Sequence, residues 1–438
     1  MIAIGASGDL AIIAQSACEF RRPGLWSNCM SAEVGARVRR YRMAAGLRAQ
    51  DLASEVGMDP TALSKIENGR RAVKSTELAR LANALKISPM ALLEDDPLLA
   101  KLPIAARAAG PSIKDGGAYD RLVSLTELHV ILADAGIRTS PNLASIPNVR
   151  GFEWMDAANA LSDWAIVKLP LDANGDQRLA SLADQIEAEL KVDVFVDAFP
   201  ADALSGAAIT DTGFPLLFVN SAFTRPRSLF TLAHELGHLL AGHSDDGVSL
   251  DRELTGSTDA ERTANAFAAR FLLPESEIVS TLEQDGRRMS TLVDLTDQYG
   301  VSYETLVYRL HNLRLIDADG RDRLMALSWQ SLLNAAGNTL RESGFSQARI
   351  GKLRARSQVR PSGRPPAMLL RRAFDGFQKG IISVRPLAGL LKEDATVLLN
   401  ELTEYADGPG IAAYLDMPQL VENSADVTDE ELFSGTPV

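Results

Sequence analysis

Of the five histidines in 438 residues, three (His234, His238 and His243) fall within ten residues of one another, in FTLAHELGHLLAGH. That segment has helical apolar spacing. His234 and His238 are four residues apart, so they share one helix face at roughly 5–6 Å between Cβ atoms. Two imidazoles at that separation can grip one tetrahedral ion through ring nitrogens. Glu235 follows the first histidine, the place of a general base acting on a metal-activated water. The surrounding Phe230, Leu232, Ala233, Leu239 and Leu240 fit badly with a solvated polar face.

A catalytic metal site needs a third protein ligand and an open position. The next helical pattern, DAERTANAFAARFLLP, places Glu261 and Asn265 four apart on one face. Glu261 can complete a His-His-Glu set, and Asn265 can hydrogen-bond a ligand imidazole from behind. His243 competes as a ligand, but it lies past the turn of His238 and past Gly242, as a surface or supporting histidine. An oxyanion donor is also needed. Tyr299, Tyr303, Tyr308 and His311 are all available, and spacing does not choose among them.

Residues 33–95 carry a second pattern. In AQDLASEVGMDPTALSKIENG, Ala53 is the small residue where two steeply crossing helices meet. Gly57 suits a turn needing positive φ. Asp59 and Pro60 are an N-cap and first helical residue, and Leu63 and Ile66 face inward. This is helix-turn-helix spacing, whose second helix enters the major groove by its N-terminal part. Gln50, Pro60, Thr61, Ala62, Ser64, Lys65 and Arg70 are then the expected DNA contacts. The segment holds eleven basic against eight acidic residues, although the whole chain carries a net charge of −12. MDPTALSKIENGRR followed by ELARLANALKISPMALL resembles the Cro/phage-repressor (Xre) DNA-binding domains. The glutamine that such domains usually carry at the start of the second helix is Ala49 here, with Gln50 beside it.

With 46% apolar and 23% charged residues, the composition is globular and excludes collagenous or wholly disordered classes. Two cysteines are too few for a disulfide framework, no apolar run reaches the 18 or so residues of a membrane span, and the protein reads as cytoplasmic. The expected layout is an N-terminal arm (1–30), the helix-turn-helix domain (33–95), a linker (96–118), the metal-binding domain (119–315), a helical C-terminal region (316–421) and an acidic disordered tail (422–438). Strands are expected near Val194–Phe199 and Phe214–Asn220. Leu292–Asp317 reads as two helices around Gly300. The acid-free run Arg349–Arg372 reads as a solvated basic linker, with phosphate contact as the alternative.

The stretch from Asn220 to Pro274, through FTLAHELGHLLAGH and ExxANxFAARFLLP, resembles the ImmA/IrrE family of metallo-endopeptidases. The resemblance implies a multidomain, mainly α chain: an all-α helix-turn-helix domain, an α+β zincin-like (gluzincin) peptidase domain and a helical C-terminal region. It implies zinc, with manganese as the alternative ion, on His234, His238 and Glu261, and Glu235 as the catalytic base. An arginine common in the family before FTLAHE is Leu229 here. The family cuts repressor-type proteins and is often fused to Xre domains. The expected function is therefore a DNA-bound regulator carrying a zinc endopeptidase that cleaves an Xre-type repressor or itself. Its partners are double-stranded operator DNA and a protein substrate, with no membrane and with a homodimer as one way to bind the operator. The strand Leu216–Val219 is expected to offer an edge to extended substrate. The alternative is a non-catalytic Xre-type transcription factor whose HExxH domain is a structural-metal or ligand-sensing module.

Overall fold

The computed structural model describes residues 33–39, 41–42, 47–85, 89–93, 117–200, 204–210, 213–243, 248–251, 258–340, 351, 353–354 and 359–406. The expected arm, most of the linker and the acidic tail lie outside them. Described residues fall into two compact units, one within Met1–Ala108 with Leu122–Glu127, the other within Ala109–Arg121 with Leu128–Val438. Among the described residues the chain is mainly helical with one small sheet, and no described helix is long and apolar enough to cross a membrane.

In the first unit, α1 (Ala49–Glu55), α2 (Pro60–Glu67) and α3 (Ser75–Leu85) follow a helical segment over 33–39. The turn between α1 and α2 forms as its residues demand. Gly57 adopts φ +63°, and Asp59 accepts the Thr61 amide at 2.7 Å while Pro60 opens the helix. Leu52, Ala53, Leu63, Ile66, Leu81 and Ala82 are fully buried. A Cβ on Gly35 would collide with the Ile66 carbonyl, so that glycine lets the first helix lie directly on α2. Arg42 grips Glu67 with two hydrogen bonds of 2.6 and 2.9 Å and fixes the same crossing from its side.

The helix α4 (Ala118–Asp134) has its residues 122–127 in the first unit and its two ends in the second, which continues with α5 (Trp154–Lys168) and α6 (Arg178–Gln185), then β1 (Asp193–Asp197), β2 (Gly206–Ile209) and β3 (Leu216–Asn220). The helix α7 (Arg225–Ala241), the strand β4 (Val248–Asp251) and the helix α8 (Asp259–Leu272) come next. They are followed by α9 (Glu275–Asp285), α10 (Met289–Tyr299) and α11 (Tyr303–Asn312). The sheet order is β1-β3-β2-β4; β1 runs parallel to β3, and the other pairs are antiparallel. DVFVD and LLFVN are continuous apolar runs because both faces of β1 and β3 are buried. Val194, Val196, Leu217 and Val219 join the core that holds Leu232 and Leu236 of α7. Phe195 and Phe218 meet at 5.6 Å between ring centroids.

Two expectations change here. Leu216–Val219 lies inside β3, between β1 and β2, so its backbone is paired on both sides and offers no edge. β4 is the strand beyond β2. The basic run is also not simply a solvated linker. Arg364 pairs by backbone with Val196 (2.9 and 2.8 Å) and forms ion pairs with Asp184 and Glu187. Arg372, in α12 (Ala367–Gln378), is buried against Asp193 at 3.3 Å and donates to His129 Nδ1 at 2.8 Å. Asp193 also accepts the Met368 and Leu369 amides at 2.8 and 3.0 Å, which docks α12 on β1. These cations pair with carboxylates far away in sequence, two of them buried, a pairing that no local pattern announces.

Candidate metal centre

Thr224 and Pro226 open α7, and Gly242 closes it in the left-handed region at φ +64°. Between them the helix is buried almost all round, and His234, Glu235 and His238 have 0%, 0% and 2% exposure. The facing helix α8 begins at Thr258, whose hydroxyl accepts the Glu261 amide at 3.2 Å. This cap sets Glu261 in the first turn, where a helix N-terminus also favours a carboxylate. The two helices meet at Gly237, inside the HExxH segment. A Cβ there would lie 3.1 Å from the Ala264 Cα and 3.0 Å from the Phe267 ring. At the far end of α8, the buried guanidinium of Arg178 donates to the Leu272 and Tyr299 carbonyls at 3.1 and 2.9 Å, and Arg309 donates to the Leu273 carbonyl at 3.0 Å. These contacts hold α8 at both ends and bring Glu261 to the histidines.

The Nε2 atoms of His234 and His238 are 3.0 Å apart. Glu261 places Oε2 3.4 Å from the first and Oε1 3.3 Å from the second. Ligands about 2.0–2.2 Å from a tetrahedral ion stand about 3.3–3.6 Å from one another; the two Glu261 separations fall in that range, and the two imidazole nitrogens stand a few tenths of an ångström closer. Glu261 Oε2 is shielded from solvent and faces the His234 ring nitrogen at 3.4 Å. Two imidazole lone pairs and a carboxylate aimed at one point repel unless a cation lies between them, so the donor set fits a divalent ion. Burial alone would raise the Glu261 carboxyl; hydrogen bonds and charge from His234 and His238 more than offset it and hold it well below the usual range.

Behind these donor atoms, His234 Nδ1 lies 3.1 Å from Asn265 Oδ1, as the i,i+4 relation of Asn265 to Glu261 led one to expect. His238 Nδ1 lies 3.3 Å from His243 Nδ1. Burial, then the neighbouring His238, pushes His243 down to about 4. Glu235 packs against β2, where a Cβ on Gly206 would overlap its carboxylate and come within 2.6 Å of Thr231 Cγ2. Spacing alone did not single out Gly206 and Gly237; a glycine within HExxH was the one visible sign of a close helix approach. Of the oxyanion candidates, the Tyr299 hydroxyl donates to Glu277 at 2.8 Å and the Tyr303 hydroxyl to the Leu324 carbonyl at 3.1 Å, both away from the ligands. Tyr308 and His311 make no described contact with them.

In the first unit, Gln50, Pro60, Thr61, Ser64, Lys65 and Arg70 are exposed, and Ala62 is half-buried. The side chains named from spacing therefore lie on or beside the outward surface of α1 and α2.

The first unit has helix-turn-helix geometry, and the second brings two histidines and one carboxylate of facing helices together. Comparison with known families gives the same pair. Residues 33–94 match the helix-turn-helix domain model, and residues 187–311 match the IrrE N-terminal-like domain of the M78 peptidases. Over 102 residues the chain is 32% identical to the radiation response metalloprotease IrrE of Deinococcus radiodurans. That stretch is 22% of this chain and 30% of the relative, so the chain spans less than a third of the protein it matches. The chain thus carries a helix-turn-helix domain followed by an IrrE-like peptidase-family domain.

Proposed function

We propose that this protein is a DNA-binding regulator with a metal-dependent endopeptidase, cutting a repressor-type protein or itself. The observation that carries the reading is the convergence of His234, His238 and Glu261 at 3.0–3.4 Å, with Glu235 next to His234 in sequence and buried against Gly206. Those three residues would hold zinc, or manganese. When bound, the ion supplies Lewis acidity that polarises a peptide carbonyl and makes water nucleophilic near neutral pH. Glu235 takes the water's proton on its carboxylate and returns it to the leaving amine. Gly206 and Thr231 confine that carboxylate, while Asn265 keeps the His234 ring turned inward. Extended substrate adds to the outer side of β4, which has no strand partner there among the described residues. The exposed residues of α2 read the operator in the major groove, with Lys65 and Arg70 as its cationic contacts and Gln50 at the start of α1.

The test is to incubate the zinc-loaded protein with Xre-type repressors, and alone, comparing wild type with Glu235→Gln. The expected result is cleavage that falls by about 10²–10⁴-fold in the variant, the usual contribution of a general base, at unchanged metal content. Equal processing by both proteins would refute the peptidase; metal binding without any cleavage would favour a sensing or structural metal module.

A further inference from the structure

We infer that His243 is a positioning residue for the second metal ligand: it accepts the Nδ1–H of His238 and holds that ring with Nε2 facing the ion. The inference rests on the metal site proposed above. Both ligand histidines turn Nε2 toward Glu261. A neutral imidazole that offers its Nε2 lone pair must carry its proton on Nδ1, and that proton needs an acceptor. For His234 the acceptor is Asn265 Oδ1. For His238 the acceptor at the corresponding place is His243 Nδ1, 3.3 Å away. His243 stands behind the ligand, against the ring nitrogen that points away from the metal. It is not part of the group of ligand atoms that gathers within 4.8 Å. This separates a supporting role from that of a fourth ligand.

The backbone explains how a residue just past the helix reaches back. Gly242 at φ +64° reverses the chain, and the His243 amide donates to the His238 carbonyl at 3.2 Å. That left-handed closure brings the two rings edge to face, with centroids 5.3 Å apart at 72°. Donation from Nδ1 also raises the electron density at Nε2, so the ligand becomes more basic as well as better aimed.

Zinc dissociation constants of the full-length protein, measured by chelator competition, test this on wild type, His243→Leu, His243→Asn and Gly242→Ala. His243→Leu should weaken zinc by about 10–100-fold, the usual effect of losing an outer partner. Gly242→Ala, which keeps both rings but strains the turn, should weaken it in the same direction. His243→Asn supplies an oxygen acceptor and should stay within about threefold of wild type, and its cobalt-substituted visible spectrum should match wild type while that of His243→Leu shifts. If wild type binds no stoichiometric zinc, or His234→Ala binds as well as wild type, the metal site itself is wrong and this inference goes with it. If the site holds but His243→Leu binds like wild type, or Asn is as weak as Leu, the positioning role is overturned alone.

Discussion

Glu261 is held by its cap and by the approach of α8, so its carboxylate meets the histidines without rearrangement. Glu261→Gln keeps the shape and removes the charge. Zinc affinity should then fall by more than the roughly 10–100-fold typical of outer-shell changes, as read by chelator competition; unchanged affinity would remove Glu261 from the ligand set. His129 makes a second prediction. Stacked on Phe214 at 4.4 Å and facing Arg372, it is driven down to about 3 by burial, then by Arg372 and Arg138. Its folded value lies below its unfolded one, so its stabilising contribution is present above about pH 6.5 and is lost as pH falls toward 3. In chelator-treated protein, wild type should lose up to about 1.4 kcal/mol of stability per pH unit across that window, and His129→Leu should lose less. Parallel melting curves for the two would contradict this. At this scale the pairs His234–His238 and Glu261–Asn265 were legible, because i,i+4 spacing on a helix fixes a shared face. Gly206 was not, since its contact with Glu235 joins positions 29 apart in a register that the sequence does not display.

The helices were the easier elements to foresee. Asp59-Pro60 and Thr258 with Glu261 mark helix starts with side chains that cap them. The two longer strands were visible as apolar runs, but β2 (GAAI) and β4 (VSLD) were not. Four residues of small or mixed polarity give almost no periodic signal. Strand order was hidden as well, which is why β3 was taken for an edge. Gly237 carries the prediction that belongs here. Gly237→Ala should force α7 and α8 apart at Ala264, at a cost of roughly 1–3 kcal/mol for overpacking, and weaken zinc together with thermal stability. A variant with wild-type zinc affinity would show that the close approach does not set the ligand distances. On α2 and just beyond it, Lys65→Ala and Arg70→Ala should each weaken binding to operator fragments and lower the salt slope by about one. An unchanged slope would place the phosphate contacts elsewhere.

Taken as a whole, the chain is acidic, and its basic segments have two different fates. Lys65 and Arg70 of the first unit are exposed, whereas Arg364 pairs with Asp184 and Glu187 and Arg372 with Asp193, which helps fasten the C-terminal segment to β1. Charge runs alone could not tell these apart, because the partners Asp184, Glu187 and Asp193 are nearly two hundred residues away in sequence. The proposed division of labour predicts that chelation abolishes proteolysis while operator binding through α2 persists in a gel-shift at the same protein concentration. Loss of both together would tie DNA binding to the metal. The most direct measurement is the anomalous difference map of zinc-soaked crystals, collected across the zinc edge. It should show one peak about 2.0–2.2 Å from His234 Nε2, His238 Nε2 and a Glu261 oxygen. A peak bound to other residues, or none there at saturating zinc, would contradict the metal centre and the peptidase built on it.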